Sequence, residues 1–191
     1  MLALTEYPRK AVHLLGLLVP LVCELTSKPL ILTALSIITI VYVLGEVWRL
    51  KGRGLPIITS FTLKMSRPEE RTRFIIRPAY FAIGIILALV LYPTAIAYAS
   101  ICIGAVGDSA AAIVGERFGY RRIIRRKTVG GFAAGLTAAF VAACFLVSPF
   151  IALLGAVGAM IMELLDVPDD NLTMPIVAGA LMTLVTLLYH S

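Results

Sequence analysis

Seven apolar runs alternate along this chain with short turns and clusters of basic residues. They cover residues 11–25, 30–47, 78–92, 94–114, 131–147, 149–165 and 174–189. A membrane-crossing helix needs about 20 mostly apolar residues, so 191 residues have room for six or seven such helices and little else. Composition points the same way: 60% of the residues are apolar and 15% are charged, against roughly 25% charged in an ordinary soluble domain. A soluble domain of this size has too little interior to hide so much apolar surface. That excludes a soluble globular enzyme, a disordered regulator and a disulfide-stapled secreted module. The expected fold is a single all-α polytopic membrane domain spanning 1–191, with about seven transmembrane helices in one bundle.

The breakers between runs are of two kinds. Ser27-Lys28-Pro29, Tyr92-Pro93-Thr94 and Ser148-Pro149 are short turns. Residues 48–77 and 115–128 are long and basic. The first carries Arg49, Lys51, Arg53, Lys64, Arg67, Arg71, Arg73 and Arg77; the second carries Arg117, Arg121, Arg122, Arg125, Arg126 and Lys127. With seven spans, both segments and the N-terminal Arg9 and Lys10 fall on one side of the bilayer, so 16 of the 17 basic residues agree with one topology. Cytoplasmic loops collect Lys and Arg, which puts the N-terminus inside and the C-terminus outside. The same rule explains the formal charge of +6 without calling on nucleic acid. Arg9 and Lys10 ahead of an apolar run are also the beginning of a signal-peptide pattern. No convincing small-residue cleavage site follows, and the first helix is read as retained. Cys23, Cys102 and Cys144 all lie in apolar runs with no ligand-like pairing, which makes them core- or lipid-facing.

Ionisable groups inside spans are costly and therefore functional candidates. His13, Glu46, Asp108 and Glu163 lie toward the basic ends of spans one, two, four and six, whereas Glu24 lies at the opposite end of the first span, within reach of water. For each there is a plain packing alternative: Glu46 pairs with Arg49 or His13, and Glu163 snorkels. Asp108 lies in Ile103-Gly104-Ala105-Val106-Gly107-Asp108-Ser109-Ala110-Ala111-Ala112, where small residues let backbones approach closely. It either bonds a neighbouring hydroxyl in a tight helix contact or presents a carboxylate to a divalent metal or a substrate hydroxyl. Packing alone does not need an acid there.

Two further segments carry chemistry. Arg125-Arg126-Lys127-Thr128-Val129-Gly130-Gly131 leads into the fifth span, with Thr128 as N-cap. Its glycines leave amides open at a helix start, where the dipole favours anions. Three cations beside such a start suit a polyphosphate, and the same segment also reads as a basic anchor followed by a small-residue packing motif. No Walker A sequence is present. Residues 163–171 then place Glu163, Asp166, Asp169, Asp170 and Asn171 at the mouth of the last two spans. One of Asp169, Asp170 and Asn171 suffices to cap the last helix; magnesium bridging carboxylates to substrate phosphates uses more of them.

Four segments in order, covering nearly the whole chain, carry a family likeness: Arg9-Lys10-Ala11-Val12-His13; Gly107-Asp108-Ser109-Ala110-Ala111 through Gly115 and Gly119; Lys127-Thr128-Val129-Gly130-Gly131; and Asp169-Asp170-Asn171-Leu172-Thr173-Met174-Pro175. The sequence resembles the CTP-dependent lipid kinases, the family of dolichol kinase, phytol kinase and the CTP-using diacylglycerol kinase, which is distantly related to phosphatidate cytidylyltransferases. The second and fourth segments together are the specific ones. It departs from the family pattern in having Gly119-Tyr120-Arg121 where Gly-Lys is frequent, and Thr128 where Ser is common.

The resemblance implies transfer of the γ-phosphoryl of CTP to the hydroxyl of a membrane-embedded isoprenoid alcohol (polyprenol, dolichol or phytol-like) or of diacylglycerol. It implies Mg2+ held by Asp108 and Asp170 with help from Asp169. Arg9, Lys10, Lys127 and Thr128 would bind the triphosphate, with Gly130 and Asn171 beside them. Asp169 or His13 would orient or deprotonate the acceptor hydroxyl, while Glu46 and Glu163 stand behind these groups. The site would lie on the cytoplasmic side of the cell membrane; the partners are the lipid alcohol, the nucleotide and membrane lipids, with no nucleic acid. A CTP:lipid-phosphate cytidylyltransferase uses similar acids and metal. A small ion or solute transporter is the rival from another class, opposed by the gathering of charges at one end of the bundle. Residues 55–61 form either an interfacial segment over the pocket or a linker. Gly131 and Gly135 serve packing within one chain or between two, which leaves a homodimer open.

Overall fold

The computed structural model describes residues 3–66, 70–119, 121–125, 127–165 and 169–190; Arg67, Tyr120, Arg126 and Asp166 of the segments above lie outside the described residues. Among the described residues the fold is all-α apart from one small hairpin. Its elements are α1 (Ala3–Leu14), a 3-10 turn (Leu15–Leu17), α2 (Leu18–Leu25), α3 (Lys28–Leu50), α4 (Pro56–Met65), α5 (Arg77–Leu91), α6 (Thr94–Phe118), β1 (Arg122–Ile124), β2 (Lys127–Thr128), α7 (Val129–Cys144), α8 (Pro149–Leu165) and α9 (Asp170–His190). Each of the seven apolar runs is helical, with ends shifted by a few residues. Among the described residues three helices, α3, α6 and α9, are long and apolar enough to cross a membrane, and α5, α7 and α8 are shorter apolar helices.

Prolines and small polar caps set the boundaries. Pro20 has no N–H to give the Gly16 carbonyl and its ring crowds that oxygen, which accounts for the tightened turn at Leu15–Leu17 between α1 and α2. Ser27 caps α3 by accepting from the Leu30 amide at 3.4 Å, with proline in the first turn. Two elements go beyond the sequence reading. Residues 56–65 form α4, begun by Pro56, and Ile58 of α4 packs on Gly45 of α3. The basic segment 115–128 is part helix and part antiparallel hairpin, in which Arg122 pairs with Thr128 and Ile124 with Lys127. Arg125 turns the hairpin at φ 50°, a left-handed conformation that is uncommon outside glycine.

α6 is the central element. In its most apolar stretch 72% of residues are buried within the protein, against 11% for α3. Ile37, Ile38, Ile40, Val41 and Leu44 of α3 are exposed, an outward apolar face that suits lipid and not water. The core around α6 is built from alanine and glycine with a few methionines: Ala139, Ala143, Ala156, Ala159, Met160, Met174 and Met182 are fully buried. Small residues let α6 and α7 approach closely. A side chain at Gly131 would meet the Ala111 carbonyl at 2.6 Å, and one at Gly135 would meet the Gly107 carbonyl at 2.8 Å. Gly131 and Gly135 therefore serve packing within one chain. Gly135→Val is expected to lower stability by about 1–3 kcal/mol through overpacking, read as a lower melting temperature in detergent. An unchanged melting temperature would show that α6 and α7 do not close so tightly.

α9 is set against α5 and α6 by its own proline. Pro175 has no N–H for the Asn171 carbonyl. That oxygen lies 2.7 Å from where a side chain at Gly84 would begin, and Pro175 itself fits against Gly84 and Gly104. The first turn of α9 is thus held against the middle of the bundle, at the level of α6 one turn before Asp108.

Candidate functional site

Polar groups from α1, α6, β2, α8 and α9 converge at one end of the bundle. Lys10 and His13, three residues apart on α1, share a face. Lys10 Nζ donates to Asp108 Oδ2 and His13 Nδ1 lies 3.2 Å from the same oxygen. Asp108 is 3% exposed and Lys10 4%; charges so deeply buried persist only when paired. The His13 ring stacks on Phe81 of α5, with centroids 4.5 Å apart.

The second group centres on Lys127. Its Nζ donates to Glu163 Oε1 on α8 and lies 3.3 Å from Asp170 Oδ2 at the start of α9. The two groups are one electrostatic unit. Burial works against the Lys127 ammonium, but the carboxylates of Asp170, Glu163 and Asp108 outweigh it and hold its pKa above the ordinary lysine value. Thr128, next in the chain, caps α7 by accepting from the Gly131 amide at 3.1 Å, as its position in the sequence leads one to expect. The Val129 amide donates to the Arg121 carbonyl at 2.9 Å. Two amides of the α7 start are therefore committed to the protein, and Gly131 is a capping and packing residue and not an open donor. Gly130 follows the cap, half-buried.

Asp169 is the residue that caps the last helix. Its Oδ1 accepts from the Asn171 amide at 3.1 Å and from Asn171 Nδ2 at 2.6 Å, and its carbonyl accepts from the Leu172 and Thr173 amides. Burial pushes its carboxyl pKa up and the neighbouring Asp170 carboxylate adds to this, against Arg77 and Asn171. Arg77 Nε lies 3.5 Å from Asp169 Oδ2 and 3.7 Å from Glu70 Oε1, joining the α5 start to this end of the bundle.

Glu46 belongs to a different network. It is fully buried, takes a two-pronged bond from Arg49 at 2.7 and 2.8 Å, and accepts from the Ile75 amide at 3.0 Å. Arg49 also donates to the carbonyls of Arg71 and Arg73. This pair fastens the segment that leads into α5; it touches neither Asp108 nor Lys127 in the described contacts. Of the four intramembrane polar residues singled out by sequence, His13, Asp108 and Glu163 converge and Glu46 stands apart. Arg9 is half-buried next to Lys10.

The donor chemistry fits a hard cation in a limited sense. Asp108, Glu163 and Asp170 supply carboxylate oxygens, but among the described residues no three His, Cys, Asp or Glu converge on one point. Magnesium is commonly held by one or two carboxylates plus substrate phosphates, and this cluster suits that mode better than an all-protein cage. Sequence reasoning missed Arg77, counted only as a basic-loop charge, and Phe81, one aromatic in an apolar run. Neither residue type carries a signal by itself; the α5 register decides both.

One comparison places the chain among known proteins. The uncharacterized protein MJ1137 of Methanocaldococcus jannaschii is 30% identical over 182 residues, covering 91% of this chain and 91% of that protein. The chain belongs to the same family. No family model matches it, and no solved structure matches it. The likeness runs through nearly the full length of both proteins.

Proposed function

We propose that this protein is a CTP-dependent kinase of a membrane-embedded lipid alcohol, with seven spans, a cytoplasmic N-terminus and its active site on the cytoplasmic face of the cell membrane. The observation that carries the reading is the convergence of Asp108, Glu163 and Asp170 with Lys10, Lys127 and His13 at one end of the bundle. Its basic segments support the orientation, since 16 of 17 Lys and Arg residues fall on one side in a seven-span topology. In that topology the bent helix of α1 and α2 is one span and α4 lies at the interface.

Phosphoryl transfer demands positioning and charge neutralisation more than covalent chemistry from the protein. The acceptor hydroxyl oxygen forms a bond to the γ-phosphorus as the bond to the β–γ bridging oxygen breaks. CDP leaves with that electron pair, and the hydroxyl proton passes to a nearby base or to solvent. Lys127 and Lys10 are the cations for phosphate oxygens, with Arg9 beside them. Asp108 and Asp170, with Asp169 next to them, would hold Mg2+, which supplies neutralisation of phosphate charge. His13 and Asp169 are the candidates to receive or orient the hydroxyl proton.

The test is a transfer assay on purified protein with a panel of lipid alcohols and all four nucleoside triphosphates. The expected result is γ-label from CTP in the lipid product. α-Label in the lipid would make the protein a cytidylyltransferase. Nucleotide-independent ion flux in proteoliposomes, with no label transferred, would make it a transporter.

A further inference from the structure

A cavity of 280 Å3 lies between α1, α3, α4 and α5. Its wall is mostly apolar, with Val12, Ile38, Phe61, Ile75, Pro78 and Ala82 among its residues. Two of these, Ile38 at 61% and Phe61 at 44%, are also strongly exposed on the outer surface. The cavity therefore has a mouth between α3 and α4, on the face that α3 turns toward lipid. Charged and titratable groups line it as well, Arg9 and His13 from α1 and Glu70 and Arg77 around the α5 start, while α3 and α4 add the hydroxyls of Thr39, Tyr42 and Thr62. His13 and Phe81 line this cavity and also a separate space of about 10 Å3, room for about one water, shared with Asp170 and Asn171. The stacked His13–Phe81 pair is the partition between an apolar channel and the charged cluster.

We propose that this channel seats the hydrocarbon chain of the acceptor, with its hydroxyl at His13, and that it admits a single-chain alcohol and not a two-chain glyceride. Calling the occupant an alcohol acceptor rests on the kinase reading above; the seating of a chain in the channel does not. At 280 Å3 the channel falls just below the roughly 300–1,000 Å3 of ordinary ligand pockets. That space suits the head end of one narrow chain whose remainder runs out between α3 and α4 into the bilayer. A glycerol carrying two acyl chains brings two chains to the same space. α4, the helix that the basic loop conceals in sequence, forms the outer wall through Phe61 and Thr62.

The experiment uses the full chain in lipid nanodiscs and a diazirine-bearing geranylgeraniol, with labelled peptides mapped by mass spectrometry. Labelling is expected on α3 and α4 around 38–42 and 61–62. Excess geranylgeraniol should reduce it roughly tenfold, as expected for a competitor present at about ten times its own dissociation constant, with little effect from dioleoylglycerol. Ala82→Trp fills the channel and should reduce labelling to a similar degree, whereas Val90→Trp on the exposed side of the same helix should not. Should Ala82→Trp fail to fold, the wild-type map and the competition decide alone. Equal competition by dioleoylglycerol, or labelling confined to the outer face of α6 and α7, overturns the proposal. Channel labelling in a protein that transfers no γ-phosphate supports the channel and removes the kinase reading instead.

Discussion

Asp108→Asn is expected to abolish transfer of γ-label from CTP to lipid, a loss of at least about a thousandfold if a principal electrostatic group of the site is removed. Membrane insertion should be unchanged. The substitution has a second consequence, because it strands Lys10, 4% exposed, beside a neutral amide. Removing one partner of a buried ion pair costs about 3–5 kcal/mol, whereas replacing both by neutral groups of similar size is often close to neutral. Lys10→Met combined with Asp108→Asn is therefore expected to recover most of the lost stability in a thermal melt in detergent and none of the turnover. If either variant turns over near the wild-type rate, Asp108 is a packing acid and leaves the site. If the double variant regains both stability and activity, the Lys10–Asp108 pair is a structural bridge between α1 and α6.

The part of the molecule legible in sequence is the part governed by local rules. Apolar run length and proline or serine punctuation locate the helices of the seven apolar runs, because helix caps and broken backbone bonds act within one turn. Thr128 as the cap of α7 is such a local fact. The convergence of His13, Asp108 and Glu163 was foreseeable from their common depth, since a polar group in an apolar helix has few places to go. Glu46 shows where depth stops being enough. It lies at a similar level but is held by Arg49 and the Ile75 amide, and which partners a buried acid on α3 meets is decided by the packing of the chain around it and not by its depth. The hairpin at 122–128 and helix α4 were hidden for a related reason. Both are short elements in charge-rich connections, where basic residues conceal the apolar pattern.

Lys127→Met is expected to produce the other large effect, a hundredfold to thousandfold loss of turnover on the order seen when one preorganised donor to developing charge is deleted. Lys127 is the cation shared by Glu163 and Asp170; burial works against its charge, but these two carboxylates, with Asp108 farther off, hold its pKa above the ordinary lysine value. Its side chain is 24% exposed while that of Glu163 is 4% exposed, so under the proposed kinase reading Lys127 is the member of the pair that would meet an incoming nucleotide. Its loss strands Glu163 without a counter-charge, at a cost of about 1–3 kcal/mol or more for an unsatisfied buried acceptor. Adding Glu163→Gln removes the stranded charge. The combined variant is expected to melt close to the wild type yet transfer no more label than Lys127→Met. The Lys127→Arg variant keeps the charge but replaces a point donor by a planar fork, so it should retain part of the turnover with a raised KM for CTP. Recovery of full turnover in Lys127→Met with Glu163→Gln would mean that Lys127 serves only to neutralise Glu163. The triphosphate would then have to be held by Arg9 and Lys10, from the α1 side of the cluster.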